Sequence, residues 1–109
     1  MEFTNTKLAD NYVVDVAGRL DATTATEFEK QCDQWLAAEE YSILVDMSGV
    51  EYISSAGLRG ILTSAKKLKA QGGNIRFCAL QGMVADVFKM SGFSAMFQVF
   101  DSKDQAISG

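Results

Sequence analysis

The chain has 109 residues, 48% of them apolar, and a net charge of −4 from 10 Lys and Arg against 14 Asp and Glu. That is enough for one modest core spanning residues 1–109 as a single domain, and too acidic for an electrostatic footprint on nucleic acid or anionic lipid, so protein partners are expected. The absence of histidine removes the usual general base, the Ser–His nucleophile pair and the commonest metal ligand, so neither an enzyme nor a metal or cofactor site is expected.

In chain order, Glu2 to Leu8 alternates weakly, Asn11 fits a turn, and Tyr12, Val13, Val14, Val16 and Ala17 predict a β-branched strand ending at Gly18. Ala25, Phe28, Cys32, Trp35 and Leu36 then share one face of a helix over residues 22–38, with Asp21 placed to cap it. Ser42 to Met47 carries an Ile-Leu-Val run flanked by helices in sequence, the pattern of a buried central strand, and a loop is expected after it. Leu58, Ile61, Leu62, Ala65 and Leu68 recur at helical spacing until Gly72-Gly73. Ile75 to Ala79 predicts a strand, Met83 to Met90 a short helix stopped near Gly92, and Met96 to Phe100 a last strand before a short tail.

This alternation after an opening hairpin predicts an α/β fold: a mixed sheet of four to five strands with helices packed against it. No apolar run approaches the roughly 20 residues that span a bilayer, and the N-terminus lacks the order of a secretion signal, so a cytoplasmic location is expected. Cys32 and Cys78 lie in apolar-patterned segments and read as reduced core residues.

Polar groups concentrate between Asp46 and Leu58. In sheets with helical crossovers, strand carboxyl ends and the following helix amino ends line one rim. Ser54 and Ser55 open the second helix, where free backbone N–H groups and the helix dipole favour an added phosphate. Their plainer reading is an N-cap, and Asp21 and Asp46 read equally well as a cap and a solvated strand end. Gly57 and Gly60 read as close-packing positions, since the segment has neither the length nor the Lys of a phosphate loop. The lysines of the second helix read as a solvated face. Met83, Met90, Phe93, Met96 and Phe97 read first as core and second as a pliable binding surface.

Gly18-Arg19-Leu20-Asp21, Ile43-Leu44-Val45-Asp46-Met47-Ser48-Gly49-Val50, Tyr52-Ile53-Ser54-Ser55-Ala56-Gly57-Leu58 and Lys89-Met90-Ser91-Gly92-Phe93 together resemble the successive signatures of the STAS domain, in the spacing of its free-standing anti-sigma factor antagonists. The resemblance implies partner switching. The unmodified antagonist binds an anti-sigma factor that is also a serine kinase and holds the ATP; phosphorylation of the serine before the second helix releases it, and a serine phosphatase resets it. Aligned on Gly57-Leu58, that serine is Ser55, with Ser54 the alternative acceptor, because this chain has Ser54 and Ala56 where many members have Asp and Ser. The resemblance makes Asp21, Asp46, Ser54, Ala56, Gly57 and Leu58 neighbours of the site and partner contacts. The competing expectation is a STAS interaction subunit of another system, such as a lipid-transport ATPase or a regulator of secretion or surface signalling.

Overall fold

The computed structural model describes residues 1–108. Strands β1 (Glu2–Leu8) and β2 (Asn11–Leu20) form an antiparallel hairpin, and β3 (Ser42–Ile53), β4 (Asn74–Cys78) and β5 (Val99–Phe100) add to it in parallel. The strands lie in the order β1-β2-β3-β4-β5, so this is the mixed, hairpin-opened sheet expected from the sequence. Leu8 pairs with Asn11, so the turn is Ala9-Asp10, with Ala9 at φ 53°, and Asn11 is already the first residue of β2.

Both strands leading to the rim run further than their sequences suggest. Gly18, at φ 115°, does not end β2. It sits at a register shift against β3, where a bulge bends the strand, and pairing continues to Leu20 opposite Ile53. The loop expected after Met47 is likewise strand, because a second shift between Asp15 and Ala17 lets Val50 and Ile53 return to the core. Gly49 makes this possible: a Cβ there would stand 2.8 Å from the Ala17 Cβ.

Helices α1 (Ala22–Ala37) and α2 (Ser55–Ala70) cover one face of the sheet. Phe28, Trp35, Ile61 and Leu68 pack onto Val14, Val16, Val45, Met47 and Phe77 from the strands. Small residues let the two helices approach: a Cβ on Gly60 would lie 3.0 Å from that of Ala25, and the Cys32 thiol reaches the Ser64 carbonyl at 3.6 Å. Cys32 and Cys78 are both buried and free, as their apolar surroundings suggest. Burial pushes both thiols up, Cys78 to about 11, so neither is a thiolate near neutrality.

After β4, helices α3 (Gly82–Met90) and α4 (Phe93–Met96) close the core around an aromatic cluster. Phe77–Phe88, Phe88–Phe93 and Phe93–Phe97 meet edge to face with centroids 5.2, 5.5 and 5.4 Å apart. The strand expected over Met96 to Phe100 shrinks to Val99–Phe100, because a helical turn after Gly92 brings Phe93 and Phe97 to one side against Phe88 and Phe77. Of the Met/Phe group, Phe93 is buried and Phe97 half-buried, while Met83, Met90 and Met96 are exposed. The expected tail is a further helix, α5 (Lys103–Ser108), whose Ala106 seals Val13, Leu44 and Cys78 on the opposite face of the sheet.

Candidate functional site

The rim is built where β2 and β3 stop together. Leu20 pairs with Ile53, and the Ser54 N–H donates to the Leu20 carbonyl at 3.0 Å, so Asp21 and Ser54 leave neighbouring strands side by side and each begins a helix. Asp21 is the N-cap of α1: its carboxylate accepts from the Thr23 and Thr24 N–H groups, and the Thr24 hydroxyl accepts from the Asp21 N–H at 2.8 Å, a reciprocal capping box. The Thr24 backbone hydrogen bond leads in holding the Asp21 carboxyl below its ordinary value, and Arg19 adds to it, so Asp21 is a fixed anion at this rim.

The two serines divide their roles. Ser54 is half-buried and is the N-cap of α2, its Oγ accepting from the Gly57 N–H at 3.2 Å. Ser55 is the first helical residue; its side chain is exposed, and its hydroxyl has no hydrogen-bond partner among the described residues. The first backbone N–H groups of a helix lack carbonyl partners within it, so an anion on Ser55 would meet the positive end of α2.

Gly57 fixes the distance between this helix start and the sheet. A Cβ there would stand 2.5 Å from the Leu20 carbonyl oxygen and 3.1 Å from Ile53 Cγ1, which bears out its reading as a close-packing position. Ala56 and Leu58 flank it, both half-buried, and the Leu58 N–H donates to the Ser54 carbonyl at 2.9 Å. Asp21, Ser54, Ser55, Ala56, Gly57 and Leu58 therefore form one corner of the molecule.

Asp46 does not join them. The expectation that it ends the central strand beside the serines fails because β3 continues to Ile53 and carries the serines away from it. Asp46 pairs with Asp15, and the β2 segment from Asp15 to Leu20 spans roughly 16 Å at the usual strand rise. It faces α5, where its carboxylate accepts from the Ser48 N–H at 2.9 Å and lies 3.5 Å from the Lys103 ammonium, which also donates to Asp15 at 2.8 Å. Burial pushes the Asp46 carboxyl up, but the Ser48 N–H and Lys103 outweigh it and hold it below its ordinary value. Its role is to seat the C-terminal helix.

Two rim features lay outside the sequence reading. The Arg19 guanidinium stacks over the Tyr52 ring at 4.2 Å, a cation–π pair created by the Arg19–Tyr52 strand register. Arg59 is exposed one helical turn beyond Ser55; its spacing of four residues was the available signal. Among the described residues, no group of three or more His, Cys, Asp or Glu side chains is arranged to hold a metal ion, and no helix is long and apolar enough to cross a membrane.

Comparison with known proteins places this geometry in a family. BtrV of Bordetella bronchiseptica, named as an anti-sigma factor antagonist, is 31% identical over 106 residues, covering 97% of this chain and 91% of BtrV. Two solved structures share the fold. The Thermotoga maritima protein TM1081, 21% identical, matches with a TM-score of 0.89 over 97% of this chain and 92% of its own. The Bacillus protein SpoIIAA in its unphosphorylated form, 18% identical, matches at 0.81 over 97% and 93%. The STAS domain family profile matches residues 3–106, nearly the whole chain, and the protein belongs to that family.

Proposed function

We propose that the protein is an anti-sigma factor antagonist and that Ser55 is its phosphorylation switch. In its unmodified form it binds an anti-sigma factor that is also a serine kinase. The kinase moves the γ-phosphoryl group of its own ATP to Ser55 Oγ, with loss of the hydroxyl proton and release of ADP. The modified antagonist dissociates, and a serine phosphatase hydrolyses the ester to inorganic phosphate. The chain acts by binding, in the cytoplasm where ATP is available, and catalyses nothing itself.

The observation that carries this reading is the division of labour between the serines: Ser54 is occupied as a cap, whereas Ser55 is exposed with an unengaged hydroxyl at the start of α2. The relatives support it, since BtrV bears the name of an anti-sigma factor antagonist and SpoIIAA has been solved in both unphosphorylated and phosphorylated forms.

The physical mechanism is local. Phosphate adds about −1.5 to −2 charges and three acceptor oxygens. Free in solution, these are offset by the N-terminus of α2 and hydrated. In a closed interface, next to the fixed Asp21 carboxylate, the same charge must be desolvated without a matching cation, which costs several kcal/mol. Asp46 contributes nothing here, since it is held under α5.

The test is to incubate the purified chain with ATP and the serine kinases of its source organism and map phosphate by mass spectrometry, with Ser54→Ala and Ser55→Ala in parallel. Stoichiometric phosphate lost only in Ser55→Ala is expected. Phosphate that persists in Ser55→Ala and disappears in Ser54→Ala would move the switch to Ser54.

A further inference from the structure

At the far end of α2 from Ser55 lies a surface that the phosphorylation switch does not use. Strand β5 has two residues against the five of β4, and pairs only with Phe77 and Cys78. The outer edge of β4 is therefore uncovered before Phe77. Hydrogen-bonding directions alternate along a strand: the Phe77 and Ala79 N–H groups donate outward, to the Gln98 and Phe100 carbonyls, whereas the Asn74 N–H donates inward to Tyr41. Ile75 thus points its N–H and carbonyl outward, and neither has a backbone partner among the described residues.

This open edge forms the floor of a groove of about 670 Å³. Leu62 and Ala65 of α2 form one wall, Phe97 lies on the other, and Lys66 and Lys69 stand exposed at the rim. Arg76 belongs to the other face, where it bonds to Asn11 and to the Ala106 carbonyl. No acidic side chain lines the groove, although the chain as a whole carries −4. An unpaired strand edge beside an apolar trough is the arrangement that accepts an added strand. The lysine rim on an otherwise acidic molecule sets the charge of what is added.

We propose that this groove is a second protein-binding site, which takes a short extended peptide segment whose groove-facing side chains, at every second position, are apolar in the middle and acidic at the ends. The main chain of the segment exchanges two hydrogen bonds with Ile75, in line with β5. Its apolar side chains enter the trough between Leu62, Ala65 and Phe97, and its carboxylates meet Lys66 and Lys69. Lys69 lies fourteen residues along α2 from Ser55, roughly 21 Å at the helical rise, so the site is available whether or not the switch is phosphorylated.

The test uses the full ¹⁵N-labelled chain and a panel of end-capped heptapeptides with Glu at positions 1 and 7, Val, Ile, Leu or Phe at positions 3 and 5, and Thr at the positions between, followed by NMR. At least one peptide is expected to saturate by about 1 mM, with shifts centred on Ile75, Ala65 and Gln98. Replacing Glu by Lys in that peptide, or introducing Lys66→Glu with Lys69→Glu in the protein, is expected to weaken it about tenfold or more. Methylating its pairing amide is expected to abolish binding. In the free chain, the Ile75 amide should exchange with solvent faster than that of Phe77. The proposal is overturned if no panel member shifts these resonances, if the N-methylated peptide binds equally well, or if the Ile75 amide is as protected as that of Phe77. Unchanged dispersion of the core resonances in the double variant separates lost binding from lost folding.

Discussion

Two carboxylates held below their ordinary pKa, Asp21 and Asp46, sit in opposite settings. Asp21 is stabilised by backbone N–H groups at a helix start, which satisfy the anion without removing it from solvent or neutralising it. Asp46 is 8% exposed and shares the Lys103 ammonium with Asp15, so its charge is spent inside the fold. The first arrangement leaves a negative charge at the surface that carries the exposed Ser55; the second fastens the last helix to the sheet. Depressed pKa values alone would have grouped the two, and the partners separate them.

This contrast can be broken at either end. The largest effect is expected at the rim. Ser55→Asp puts a permanent charge beside Asp21 and should weaken binding to the anti-sigma factor several-hundred-fold, a loss of about 3–4 kcal/mol by calorimetric titration; Ser55→Ala should bind like the parent. Next is Gly57→Ala, whose Cβ would meet the Leu20 carbonyl oxygen at 2.5 Å. We expect about 2–3 kcal/mol of destabilisation in denaturant unfolding, with slower phosphorylation of Ser55 as the helix start is pushed off the sheet.

At the seated end, Lys103→Met removes the cation between Asp15 and Asp46 and should cost about 1–2 kcal/mol, less than a fully buried pair because the Lys103 side chain is partly exposed. It should not alter phosphorylation. The pH dependence has a definite sign. Asp46 has a lowered folded pKa, so its stabilisation is complete above the unfolded value near 4 and is lost as pH falls through the folded value. The Asp15 hydrogen bond leads in raising the folded pKa of Lys103, so that contribution is complete below about 10.4 and is lost as pH rises through the folded value. Lys103→Met should flatten both limbs of a plot of unfolding midpoint against pH. The smallest effect is Ser54→Ala, which removes the α2 cap for about 1 kcal/mol yet leaves Ser55 as an acceptor.

What the sequence made legible follows local periodicity. The β-branched run from Tyr12 and the three-and-four repeat of α2 specify their elements without knowledge of neighbours. The pairing of Ser54 with Ser55 at a helix start is visible too, and alignment on Gly57-Leu58 singles out Ser55, but which serine caps the helix is not, because which hydroxyl reaches the Gly57 N–H depends on the helix beginning at Ser55 rather than one residue earlier. The Asp46 expectation failed for a related reason. The resemblance puts Asp46 at the end of the central strand beside Ser55, whereas Gly49 allows a bulged strand to continue and separate them. The helix α5 was hidden because its anchor is an ion pair spanning 88 positions, from Lys103 back to Asp15.

In the proposed switch, Ser55 controls partner affinity by charge at a fixed fold. The direct measurement is an amide NMR spectrum of the stoichiometrically phosphorylated chain, recorded alone and then titrated with the anti-sigma factor. Shifts are expected only at Leu20–Thr24 and Ser54–Leu58, with unchanged core amides at Val45 and Phe77 and no response to partner concentrations that saturate the unmodified chain. Displaced core resonances, or an unchanged titration, would contradict this switch.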